Sequence, residues 1–168
     1  DESTVQRFWE ETEGSYEPYL CIFPASLWFT KQYPKEKWVE LIQRIPDNYH
    51  ICLLGSHKDH ALCEEIKQDC AKGEGGYAQG HVANDVHAED TVFHEVYAAD
   101  SKQSHIRHQI HNLAGRFNLL QSAVLMRGAA MNYTNDSAPL HIAVAVGAKV
   151  TAIFCSTVKS FGFAPMNH

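Results

Sequence analysis

The feature that most constrains this chain is an alternation of two kinds of segment. Short, almost unbroken apolar runs take turns with longer stretches of helical spacing. Residues 19–24 (YLCIFP), 49–54 (YHICLL), 131–134 and 150–155 (VTAIFC) have the length and apolar density of buried strands. Between them, residues 35–44 carry Trp38, Leu41 and Ile42 at helical spacing, with Pro34 just ahead. Residues 59–70 set Leu62, Ile66 and Cys70 on one face. Residues 119–128 read as helix, and residues 139–146 as an apolar helix closed by Gly147. The first residues also read as helix. A strand with one wet face alternates apolar and polar residues, whereas a continuous run is covered on both faces. The expectation is therefore an α/β fold: a Rossmann-like parallel sheet with helices on both faces.

A length of 168 residues suits one domain, 1–168, with a core that needs no disulfide or metal. The chain starts in a helix-like stretch and stops at GFAPMNH soon after a strand, which reads as a fragment of a longer protein. One stretch breaks the alternation. Residues 72–109 are Gly-rich and polar at first and keep no period, and a loop that long is uncommon inside a compact domain. It reads as an insertion with a hairpin or short helix of its own.

Charge and composition exclude several classes. The net charge of -6 argues against a nucleic-acid partner, although a local anion site needs only a few N–H groups and one lysine. No apolar run approaches the ~20 residues of a membrane span, and the acidic start DESTVQRFWEET is no signal peptide. The five cysteines form no CxxC pair. Cys21, Cys52 and Cys155 fall in strand-like runs and read as small core residues, which fits a reducing cytosol.

Parallel sheets of this kind bind ligands beyond the carboxyl ends of their strands. That directs attention to residues 25–34, 55–59 and 135–141. In the last, NDSAPLH, Ser137 suits a helix N-cap, and the Ser137, Ala138 and Leu140 N–H groups would face outward as a phosphate or oxyanion site. Asp136 suits sugar hydroxyls or the orientation of His141. A plain cap before a core helix fits the same residues. In the first, Ser26 and Thr30 offer hydroxyls and Lys31 a cation for a diphosphate. If Lys31 is instead a solvated lysine, Trp28 and Phe29 are packing residues. In the second, Gly55 permits close approach and Asp59 could hold a ribose, but capping the next helix is the commoner role for such an Asp. No GxGxxG is present, which argues against a sugar-nucleotide epimerase. His105, His108 and His111 would share one face of a helix, yet no Cys or carboxylate completes a metal site, so no metal is assigned.

Four blocks together point further. PASLWFTKQYPKEKWVELI, LLGSHKDHALCEEI, NLAGRFNLLQSAVLMRGA and NYTNDSAPLHIAVAVGAKVTAIFCSTVKSFGFAP resemble, in order, the C-terminal domain of the ADP-heptose:lipopolysaccharide heptosyltransferase family, glycosyltransferase family 9. The resemblance implies the C-terminal half of a GT-B glycosyltransferase, binding an ADP-sugar donor, with a strand at NLAG. It makes Lys31 the phosphate-contacting lysine and puts Ser26, with Thr30 beside it, near the phosphates. Asp136, Ser137 and Ala138 match the block that contacts sugar and diphosphate, and His141 matches its histidine. Phe117 or Asn118 falls near the adenine and Asp59 near the ribose. Many members have Gly where this chain has Ala138. The resemblance places the catalytic base, an Asp, and the lipid A-core acceptor site in an N-terminal domain, so no catalytic residue is assigned here. It implies no cofactor, a cytoplasmic location, and a peripheral place for the full protein at the inner membrane. A non-catalytic nucleotide-binding module on a degenerate glycosyltransferase fold is the alternative.

Overall fold

The computed structural model describes residues 2–12, 18–72 and 109–155. Five strands form one sheet: β1 (Tyr19–Phe23), β2 (His50–Leu53), β3 (Ile110–Asn112), β4 (Met131–Asn135) and β5 (Val150–Ile153). Their order is β3-β2-β1-β4-β5, and each neighbouring pair is parallel. The helices are α1 (Glu2–Glu11), α2 (Lys35–Gln43), α3 (His60–Lys72), α4 (Leu119–Gly128) and α5 (Ala138–Ala145).

The apolar runs are continuous because both faces of the sheet are covered. Leu20 and Ile22 of β1, with Ile51 and Leu53 of β2, pack on Trp38, Val39 and Ile42 of α2 and Ile66 of α3. The intervening residues Cys21, Phe23, Cys52 and Leu54 face the opposite core with Val5 and Phe8 of α1, Leu125 and Met126 of α4, and Ala143 of α5. Side chains alternate between faces along a strand, so each face receives every second residue. The expected Rossmann-like α/β fold is the one observed.

Local chemistry sets the boundaries. Asn118 and Gln121 cap α4 reciprocally, each side chain bonding the other's backbone N–H at 2.9 Å. Gly147 ends α5 as foreseen, and does so in the left-handed conformation, at φ +68°. Its N–H and that of Ala148 bond the Val144 and Ala143 carbonyls. Gly115, at φ +77°, has no room for a side chain. A Cβ there would lie 2.7 Å from the His57 backbone, so the turns after β2 and β3 press together.

Three expectations need correction. His111 lies on β3, not on a helix, and its ring stacks on His50; His105 and His108 lie outside the described residues. The strand expected at NLAG is Ile110–Asn112, two residues earlier, and shares only Asn112 with it. Cys155 lies beyond β5 and is exposed, unlike the buried Cys21 and Cys52. Most of the 72–109 insertion also lies outside the described residues; Lys72 closes α3, and Gln109 leads into β3 through its carbonyl, bonded by Ile51.

Candidate functional site

The chain runs from β1 to β2 and β3 on one side, then returns through α4 to β4 on the other side of β1. The carboxyl ends of β1 and β4 therefore form the topological switch point, where loops diverge and leave a crevice. Two of the three segments picked from the sequence meet there.

The loop after β1 carries Ser26, Thr30 and Lys31. It ends in a single 3₁₀ turn, with the Lys31 N–H on the Trp28 carbonyl at 2.9 Å. The loop after β4 supplies Asp136. Lys31 Nζ lies 2.7 Å from Asp136 Oδ2. The two partners are unequally exposed, 22% for the Lys31 side chain and 3% for that of Asp136. A carboxylate so deeply buried needs a counter-charge, and Lys31 supplies it from the solvent side. Lys31 is thus no free surface lysine. Nor are its neighbours packing residues: Leu27, Trp28 and Phe29 are exposed by 91%, 65% and 90%.

Ser137 holds the N-cap position of α5, but its hydroxyl turns back to the Asn135 carbonyl at 3.3 Å instead of capping the helix. The Leu140 N–H bonds the Ser137 carbonyl, and Pro139 has none to offer. Of the three N–H groups expected to face a ligand, Leu140 is thereby withdrawn, and Ser137 and Ala138 remain. Ala138 and His141 are exposed on the first turn of α5. The helix dipole adds positive potential at the same place.

The remaining candidates sit elsewhere along the carboxyl edge. Asp59 Oδ2 accepts from the Ser56 N–H and hydroxyl, both at 2.7 Å, so this oxygen belongs to the cap before α3. Phe117 packs edge-on against Phe8 of α1, 5.9 Å between ring centres. Asn118 is the α4 cap described above. The thiols carry no activation: burial raises Cys21 and Cys52, and pushes Cys63 and Cys70 up to about 12. Among the described residues no three metal-ligating side chains gather, and no helix is long and apolar enough to cross a membrane.

Sequence reasoning passed over Asn135. It is wholly buried at the end of β4. Its amide bonds the Pro24 and Ala25 carbonyls at 2.9 and 3.2 Å and accepts the Tyr33 N–H at 2.9 Å. The available signal was an amide closing an apolar strand, since a buried amide must find partners.

Comparison with known proteins bears on the family and the fold. The model of glycosyltransferase family 9 (heptosyltransferase) matches residues 2–77 and 86–168. The chain belongs to glycosyltransferase family 9. Sequence comparison with curated proteins finds no match. Among solved structures, the chain is similar to the E. coli ADP-heptose lps heptosyltransferase II, with a TM-score of 0.60 and 21% identity over 92% of this chain. The E. coli heptosyltransferase WaaC with ADP-2-deoxy-2-fluoro heptose gives 0.56 and 16% identity over 84%. The family 9 glycosyl transferase from Veillonella parvula DSM 2008 gives 0.58 and 15% identity over 89%. The chain spans 38%, 34% and 33% of the length of these structures, respectively. These family members share its fold, that of the GT-B heptosyltransferases.

Proposed function

We propose that this chain is the donor-binding half of an inverting glycosyltransferase that takes an ADP-sugar, ADP-heptose in the first instance, and adds the sugar to the inner core of lipopolysaccharide. The observation that carries the reading is the Lys31–Asp136 pair at the switch point, beside the N-terminus of α5. WaaC, whose fold the chain shares, is known with ADP and with an ADP-heptose analogue, which supports the choice of donor.

In this reading the diphosphate lies between Lys31 and the Ser137 and Ala138 N–H groups, with the Ser26 and Thr30 hydroxyls at its edge. Asp136 accepts from the sugar hydroxyls, and His141 borders the sugar. Asp59, Phe117 and Asn118 lie along the way to the nucleoside. Displacement at the sugar carbon breaks the bond to the ADP oxygen and leaves negative charge on the diphosphate. Lys31 and the helix N-terminus are placed to stabilise that charge, which is where fixed donors accelerate a reaction most. The acceptor hydroxyl loses its proton to a base outside this chain. The reading puts the full protein in the cytoplasm, against the inner face of the membrane that holds its lipid acceptor.

Calorimetric titration with ADP tests the reading. Binding by the intact chain that Lys31→Ala abolishes or severely weakens is the expected result. Equal affinity in the variant would remove Lys31 from the site.

A further inference from the structure

We infer that Asn135 is the positioning residue for Lys31: it clamps both ends of the loop after β1, so that the lysine stays in place when its partner changes. The inference rests on the donor-site reading above for its purpose, and on the following geometry for its content.

Asn135 is wholly buried, and both ends of its amide are engaged. Nδ2 donates to the Pro24 and Ala25 carbonyls at 2.9 and 3.2 Å, with Phe23 further off at 3.4 Å. Oδ1 accepts the Tyr33 N–H at 2.9 Å. The first contacts hold the leading end of the loop, and the last holds its trailing end, two residues past Lys31. Asp136, the next residue of the chain, holds Lys31 itself. Two consecutive residues thus grip a loop more than a hundred positions away at three points.

The clamp matters because the loop has few other restraints. Leu27, Trp28, Phe29 and Thr30 are exposed and give the tip little packing. A lysine stem is long and flexible, so an ion pair fixes its head without fixing the backbone beneath it. A diphosphate that draws Nζ away from Asp136 loosens that ion pair. The Asn135 bonds do not depend on the lysine's charge and persist through the exchange. The amide thereby keeps the ammonium within reach of both anions, which is what a site requires of its supporting residues.

The loop can be read without any ligand. Trypsin cuts after Lys31 and after Arg44, which lies outside the loop. Asn135→Ala is expected to speed cleavage after Lys31 about tenfold, as local opening rises when its bonds are lost, and to leave Arg44 unchanged. Equal acceleration at both sites overturns the proposal. Binding then reads the purpose. Asn135→Ala should weaken ADP about tenfold, leave adenosine unchanged, and add nothing to Lys31→Ala, because residues acting through one another are non-additive. Equal losses for ADP and adenosine, or an additive double variant, mean that Asn135 acts on the fold at large. If Asn135→Ala fails to fold, hydrogen exchange at the Tyr33 amide of the unaltered chain decides: protection with and without ADP is expected, and an unprotected amide overturns the clamp. If the unaltered chain binds no ADP while cleavage after Lys31 still responds selectively, the donor reading fails and the clamp stands.

Discussion

The sheet holds a polar pair near each end, and the two are handled in opposite ways. Under α1, His50 and His111 lie stacked, rings 8° from parallel, with 3.0 Å between Nδ1 and Nε2. Phe8 and Trp9 close over them edge-on, and burial with nearby positive charge holds His111 down to about 4, so it stays neutral. At the switch point, Lys31 and Asp136 form an ion pair, and one partner reaches solvent. A pair of stacked rings with aromatic rings closed over it suits packing. A charged pair open to water suits exchange of one partner for a ligand. The difference separates the part of the molecule that holds it together from the part that we propose acts.

Substitution should divide the two ends cleanly. Phe8 touches Trp9, His111 and Phe117, and the Arg116 guanidinium lies 5.3 Å from its ring centre. Phe8→Ala is expected to cost about 3–4 kcal/mol in urea unfolding, within the usual range for a buried aromatic, with ADP affinity held within about threefold, since only the Phe117 contact links this cluster to the nucleoside end. A parallel loss of affinity would join the two ends after all. Lys31→Ala should do the reverse. It is expected to lower ADP affinity roughly a hundredfold, since charge-assisted bonds to phosphate are among the strong ones, with a melting temperature close to that of the unaltered chain. A large stability loss with little change in affinity would make the ion pair a structural one.

The two ends were also unequally legible in the sequence. The four long strands show as apolar runs because the sheet is covered on both faces, and the helices between them show by their spacing. Strand β3 does not, because Ile110–Asn112 is three half-buried residues, two of them polar, held by pairing with β2. Lys31 and Asp136 stood out individually, since a lysine or an Asp after a strand has recognisable chemistry. Their contact did not, and neither did the Asn135 clamp: its partners lie more than a hundred residues away and are mostly backbone groups, which carry no residue identity. The stacking of His50 on His111 was hidden because strand pairing, not sequence proximity, brings the two rings together. A spacing rule applied to the histidines weighed only what a helix would do with them, whereas register with β2 decided the matter.

Asp136 sharpens the contrast further, because it is the buried partner of the open pair. Asp136→Asn keeps a group that can bond the lysine and removes the charge. The expected result is a loss of about tenfold for ADP-heptose, the worth of a charged hydrogen bond to a hydroxyl, with ADP held within about threefold. Equal losses for both ligands would reassign Asp136 from the sugar to the support of Lys31.

The smallest effect expected is on pH dependence, and it belongs to the sealed end. His111 titrates near 6.5 in an unfolded chain and near 4 in the folded one, lowered first by burial and then by His50, Lys67 and Arg116. Between these values the unfolded chain takes up a proton that the folded chain refuses. Stability contributed by the neutral ring is complete above about pH 6.5 and falls as the pH drops towards 4. Because the ring is only partly buried, solvent screening reduces the expected loss to about 1 kcal/mol. Other groups titrate in this range, so the measurement is a difference: urea unfolding from pH 7 to pH 4 for the unaltered chain and for His111→Asn. A flatter profile in the variant over this window is the expected result. Superimposable profiles would mean that His111 beneath α1 does not sense acid, and that the two ends differ in exposure but not in how they manage charge.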